Sequence, residues 1–237
     1  MSSFYKLGAP YADEKYDLYG RPKWANQFGL AEWTDAVHDS VPSIVCPVTT
    51  DHQRAGNRTI DLHIVLPSPR IGNFVWTWMS ECLITDRVLQ LFRQAGLTGF
   101  EVKPVVVARV KRLDKRCFEE IPTLWELVVT GRGGDARPES GIRVIYRCEA
   151  CGLVEYSSYQ NGILVDEEQW NGSDFFTVNG YPRYILVTER VKVLIMTHRL
   201  TNCVLIPAEA LRWLEGMPRP EDVYLKKTNE DGDEVKD

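Results

Sequence analysis

No run in the 237 residues approaches the roughly 18 consecutive apolar residues that span a bilayer. The first residues, MSSFYKLGAPYADEKYD, lack the basic-then-apolar layout of a secretory leader. Together these absences predict a cytoplasmic protein with no membrane partner. Histidine is scarce, with four residues, and they form no constellation along the chain. Gly-x-Ser-x-Gly is missing. GRGGD at 131–135 lacks the Lys-Ser/Thr of a phosphate-binding loop and reads as a hairpin turn. Positive charge is not in excess: 28 Lys and Arg stand against 33 Asp and Glu, a net charge of −5. That removes the global electrostatic argument for nucleic acid and leaves a basic protein, or no charged partner, as the first expectation. Six cysteines at irregular spacing, with no leader, argue for reduced thiols or a metal site rather than a disulfide framework.

What is present describes a folded chain. An apolar fraction of 44% and a charged fraction of 26% are those of an ordinary globular protein. The length suits one domain, residues 1–225, built from two related halves. The almost wholly polar KKTNEDGDEVKD at 226–237 predicts a disordered tail.

The halves are visible as a repeat. LITDRVLQLFRQAGLTGFEVKP at 83–104 returns as LVTERVKVLIMTHRLTNCVLIP at 186–207, with eight of the 22 positions identical. In the first copy Leu83 and Ile84 end a strand, Thr85 takes the N-cap position and Asp86 lies in the first turn, where the helix dipole favours an acid. Val88, Leu91, Phe92 and Ala95 make one apolar stripe, and Gly96 suits the left-handed residue that ends the helix. The second copy repeats each device with Thr188, Glu189 and a stripe of Val191, Leu194, Ile195 and His198. A strand follows each helix, interrupted at Pro104 in the first. Elsewhere, a short strand is predicted near Phe4–Leu7. TIDLHIVL at 59–66 alternates Ile60, Leu62, Ile64 and Leu66 against Thr59, Asp61, His63 and Val65, the period of a half-buried strand. TLWELVV, IRVIYRC and GLVEYSSY read as further strands joined by turns. The fold class expected is therefore α+β: mixed and antiparallel sheets, a few short helices, two similar strand-helix-strand units and a zinc-knuckle-like turn.

That turn is CEACG at 148–152. Two thiolates separated by two residues can grip one zinc ion, and glycine after the second permits the left-handed backbone of a knuckle. One knuckle supplies two ligands of four. VCPVTTDH at 45–52 nearly provides the rest: Cys46 is in place, Thr49 stands where a second cysteine is needed, and His52 lies close enough to substitute. Cys46, His52, Cys148 and Cys151 are thus a candidate Cys₃His structural zinc site, with a metal-free turn of reduced thiols and a redox pair as the alternatives. KPVVVARVKRLDKR, with six basic residues in fourteen, alternates like a strand with one wet face. Asp61, Glu101 and Lys103 mimic the acid-acid-lysine group of some Mg²⁺-dependent nucleases, but Val204 and Ile206 occupy the positions of Glu101 and Lys103 in the second copy.

The order of these features, SFYKL, then VCPV, a strand-helix phrase, CEACG and finally YILVTERVKVLI, resembles the bacterial double-CXXCG motif family, whose members are immunity proteins of toxin-immunity pairs. The resemblance runs from about residue 3 to 211. Cys148, Cys151 and Gly152 match the second knuckle; in the first, Cys46 matches and Thr49 and Thr50 depart. It implies a protein without catalysis that binds and neutralises a cognate toxin encoded by an adjacent gene, with exposed aromatics such as Trp76, Trp78, Trp170 or Tyr181 as candidate contacts. The alternative from the residues alone is a zinc-ribbon adaptor for nucleic acid or regulation.

Overall fold

The two copies of the repeated phrase lie face to face in the computed structural model, which describes residues 3–10, 28–111, 121–213 and 216–223. The predicted tail at 226–237 lies outside the described residues. Strands β1 (Phe4–Gly8) and β2 (Glu32–Trp33) precede a short helix α1 (Asp35–Asp39). Strands β3 (Ser43–Ile44) and β4 (Arg54–Ala55) form a hairpin whose tip carries a 3₁₀ turn, Thr50–His52. Then come β5 (Leu62–Leu66), β6 (Phe74–Trp76), β7 (Cys82–Thr85), helix α2 (Asp86–Gln94), the long β8 (Phe100–Val110) and β9 (Leu124–Val129). The remainder is β10 (Gly131–Arg132), the hairpin β11 (Val144–Arg147) and β12 (Val154–Tyr156), β13 (Phe175–Thr177), β14 (Ile185–Thr188), helix α3 (Glu189–Thr197) and β15 (Val204–Pro207). The α+β class is as the sequence predicts.

Two larger sheets carry the architecture, in the orders β10-β13-β14-β1-β15 and β2-β5-β8-β9-β7-β6. In each, the strand before the helix and the strand after it are parallel and enclose one antiparallel strand: β9 between β7 and β8, and β1 between β14 and β15. The enclosed strands enter the chain at different places, β9 after its unit and β1 at the N-terminus. The symmetry extends to the strand before each unit. Phe74 pairs with Ile84 and Phe175 with Val187, which are equivalent partners in the two copies.

The contacts between units are reciprocal. Asp174 accepts from the Thr98 backbone N–H (3.0 Å) and hydroxyl (3.2 Å), and the Asn73 side-chain oxygen accepts from the same two groups of Thr201 (3.0 and 3.1 Å). Thr98 and Thr201 are equivalent, identical positions of the repeat. Arg190 donates to the carbonyl of Ala95 and Arg87 to that of His198, again matched positions. One apolar core serves both units, with Phe74, Phe92 and Leu97 packed among Phe175, Ile195 and Leu200. Phe92 and Phe175 meet with ring centres 5.1 Å apart.

Both helices end in the same way. Leu97 N–H bonds the Phe92 carbonyl and Gly96 N–H that of Arg93; Leu200 and Arg199 repeat the pair on Ile195 and Met196. Gly96 and Arg199 take the left-handed conformation this Schellman ending requires. Several expectations need correction. Thr85 and Thr188 hold the N-cap backbone position, but neither side chain caps; the Thr188 hydroxyl donates to Asp174 instead. The buried stripe is Val88, Leu89 and Phe92 on α2 and Val191, Leu194 and Ile195 on α3. Ala95 and His198 are exposed because the chain is already leaving the helix there. Ile60 is exposed, since β5 starts at Leu62. Pro104 does not interrupt β8. It marks the point where pairing passes from β9, up to Pro104, to β5, from Val105, so the missing N–H falls at the handover. GRGGD is not a hairpin turn: Gly131 and Arg132 pair in parallel with β13, and a Cβ on Gly131 would meet the Phe175 carbonyl oxygen at 2.1 Å.

Candidate metal centre

Two small hairpins stand apart from the larger sheets and meet at their tips. The first is β3–β4, with Cys46 just beyond β3 and His52 ending the 3₁₀ turn. The second is β11–β12, with Cys148 and Cys151 in the turn between them. The local geometry of that turn follows from its sequence. Cys148 N–H bonds the Leu153 carbonyl and Gly152 N–H bonds the Cys148 carbonyl, both at 2.8 Å, closing a tight loop. Gly152 has φ +68°, and an added Cβ there would meet nothing within 4 Å. Backbone conformation, not space, requires the glycine.

The donor atoms of Cys46, His52, Cys148 and Cys151 all lie within 4.8 Å of one another. Cys46 Sγ and Cys148 Sγ are 3.8 Å apart, as are Cys151 Sγ and His52 Nδ1. A disulfide needs about 2.05 Å between sulfurs, so the two cysteines are not bridged. Zinc–sulfur bonds of about 2.3 Å in a tetrahedron place sulfurs about 3.8 Å apart, and the Cys46–Cys148 separation has that value. Cys46, His52 and Cys148 are buried. None of the five described cysteines is in a disulfide, and the remaining two, Cys82 and Cys203, belong to the apolar core.

Polar donors approach sulfurs of both hairpins. Val48 N–H points at Cys46 Sγ at 3.5 Å. Arg54, from β4, grips the other knuckle twice, with Nη1 3.5 Å from Cys151 Sγ and Nη2 donating to the Cys151 carbonyl at 2.9 Å. Burial opposes ionisation of Cys151, but the backbone at Leu153, the Arg54 guanidinium and the Cys148 and Cys46 thiols outweigh it, bringing the pKa down to about 6. Tyr146 covers the site, its ring centre 5.1 Å from that of His52, and burial followed by the nearby Cys148 raises its phenol pKa. The donor set, spacing and charge fit a soft divalent cation such as Zn²⁺.

All four predicted ligands are therefore brought together. Arg54 and Tyr146 were missed, since neither falls in a ligand spacing. Asp61, Glu101 and Lys103 are not assembled into a nuclease-like group. Leu62 pairs with Val105, which sets Asp61 beside Pro104 rather than Glu101, and all three are exposed. Of the candidate contact aromatics, Trp76 and Tyr181 are buried, Trp170 packs against Phe4 and Phe176, and Trp78 is 68% exposed. Among the described residues no helix is long and apolar enough to cross a membrane. No protein-family model matches the chain, and no curated protein matches it by sequence.

Proposed function

We propose that the protein is a toxin-neutralising immunity protein that acts by binding, not catalysis, and whose two knuckles are stapled by a structural zinc ion. The observation that carries this reading is the place of His52. The first knuckle departs from the double-CXXCG pattern at Thr49 and Thr50, and His52 supplies the missing donor at 3.8 Å from Cys151. The chain thus keeps the four-donor arrangement that the resemblance implies, by a different residue.

Cys46, Cys148 and Cys151 would bind as thiolates and His52 through Nδ1. The ion would supply a cross-link between segments about a hundred residues apart in sequence and no reaction. Four protein donors fill a tetrahedron, whereas a catalytic zinc keeps one position open for water or substrate. Arg54 would offset the excess negative charge of three thiolates.

Co-expression with the product of the adjacent toxin gene tests the reading. Growth rescue and a co-purifying complex are expected; neither rescue nor complex would overturn it. Metal analysis of the purified chain should return one zinc per chain. The two-hairpin geometry also favours a second reading, a zinc-ribbon adaptor for nucleic acid, which predicts binding to RNA or DNA that weakens steeply with salt.

A further inference from the structure

A cleft of about 1180 Å³ lies beside the knuckles, and its charges are unevenly committed. It is lined by the face of the six-stranded sheet at Lys103 and Glu126, by the first knuckle from Gln53 to Arg58, by the turn Met79–Glu81 and by Pro182 and Arg183 of the second unit. Each of its two carboxylates is engaged through one oxygen, Glu126 by Oε1 and Glu81 by Oε2, and Glu126 Oε2 has no hydrogen-bond partner among the described residues. Glu126 is buried and ion-paired with Arg58. Glu81 accepts from the indole N–H of Trp33 at 3.1 Å and from the hydroxyl of Thr77. Lys103 and Arg183 are exposed and have no side-chain hydrogen bond or ion pair among the described residues. Glu101, two residues from Lys103, lies outside the lining. A chain of net charge −5 thus concentrates uncommitted positive charge in one concavity.

The rim is apolar. Trp78 precedes the lining turn directly and is 68% exposed, and Met79 in that turn is 40% exposed. The turn is held by the Thr77 N–H on the Glu81 carbonyl, with Ser80 at φ +76°. On the first knuckle Val45 and Val48, outside the lining, are exposed as well. Large apolar side chains held out on tight turns around a concave charged surface are the composition of a protein contact, with tryptophan the strongest anchor.

We propose that this cleft is a docking surface for a segment of a partner protein that bears carboxylate side chains, with Lys103 and Arg183 taking the carboxylates and Trp78 and Met79 the flanking apolar side chains. The free cations favour an acidic occupant by charge complementarity. A nucleic acid fits less well, because a phosphate backbone is tracked by a row of cations along a surface. Here the two free cations come from different units and converge on a single concavity with apolar edges. The proposal deepens the neutralisation reading and rests on it only for which protein carries the segment.

The test is fluorescence anisotropy with the full-length, metal-containing chain and three labelled probes: a decaglutamate peptide, a decalysine peptide and a single-stranded oligodeoxynucleotide. Saturable binding of decaglutamate is expected, weakened about tenfold by Lys103→Glu, Arg183→Glu or Trp78→Ala. Arg93→Glu, the same charge change on the exposed face of α2, should leave it unchanged. All four side chains are at the surface, and circular dichroism confirms that each variant is folded. No binding of decaglutamate, equal binding by the cleft variants, or preference for the oligonucleotide would overturn the proposal. The rescue assay reads separately: failure of the wild-type chain to rescue removes the neutralisation reading, whereas rescue that survives the cleft variants removes only this surface.

Discussion

The duplicated core and the knuckle corner face the same problem, joining segments far apart in sequence, and solve it with different chemistry. Asn73 and Thr201 are 128 residues apart, and Cys46 and Cys148 are 102 apart. The core uses redundancy: the Thr98–Asp174 and Thr201–Asn73 clamps, and the Arg190–Ala95 and Arg87–His198 contacts, are paired across a pseudo-twofold relation above a shared apolar interior. The corner has two short hairpins, little apolar contact and one four-donor cluster. Loss of one of these links in the core leaves its mirror image, while the corner falls back on the Arg54 bonds to Cys151 and the Tyr146–His52 ring contact.

Within the core the counterparts are unequal, and this gives the largest expected effect. Asp174 is 2% exposed and serves Thr98, Thr188 and Arg190 together, whereas Asn73 has one side-chain oxygen and spends it on Thr201. Asp174→Ala should cost about 3 kcal/mol in urea unfolding, because it removes at once the hydrogen bonds of one buried carboxylate to Thr98, Thr188 and Arg190. Equal costs for Asp174→Ala and Asn73→Ala would show that the two clamps are equivalent after all.

The corner should respond to metal removal locally. Chelation, or Cys148→Ser, is expected to open residues 44–55 and 147–154 to limited proteolysis while shifting the urea transition of the core by only about 1–2 kcal/mol. A chelated chain that loses all its secondary structure by circular dichroism would mean the corner supports the core, and would erase the contrast. Asn73→Ala comes next. With one neutral clamp removed and Asp174 still in place, a loss of about 1–2 kcal/mol is expected.

The contrast between core and corner also explains what could be read in advance. Helices α2 and α3 and the CEACG turn were legible because an apolar repeat and a knuckle are local patterns, whereas the short α1 lies in a stretch without a clear period and was not predicted. The enclosed strands β1 and β9 were not recognised as equivalents, since one precedes both copies and the other follows the first. The Asn73 and Asp174 clamps were invisible for a related reason: they are different residue types, offset by 101 rather than 103, and their partners lie in the other unit. His52 is legible because Cys46 confines the missing ligand to the short stretch that follows it, VCPVTTDH. Trp76 and Trp78, two residues apart, could not be told apart until the strand end at Trp76 put one in the core and the other on the turn beyond it.

The smallest expected effect isolates one hydroxyl in two equivalent settings. Thr188 donates to Asp174 Oδ1 at 2.8 Å, whereas the Thr85 hydroxyl is buried without a hydrogen-bond partner among the described residues. Both residues occupy the N-cap position without capping, so valine should tolerate the extended backbone at either site. Thr188→Val removes a satisfied donor and should cost about 1 kcal/mol. Thr85→Val replaces an unsatisfied buried hydroxyl by a methyl of the same shape and should be neutral or stabilising by up to about 1 kcal/mol. Matched urea titrations of the two variants check this directly. Equal destabilisation would place an unseen partner on Thr85 and make the two clamps more alike than Asn73 and Asp174 suggest. Opposite signs would instead trace the inequality of the halves to a single change, an amide in one unit where the other has a carboxylate.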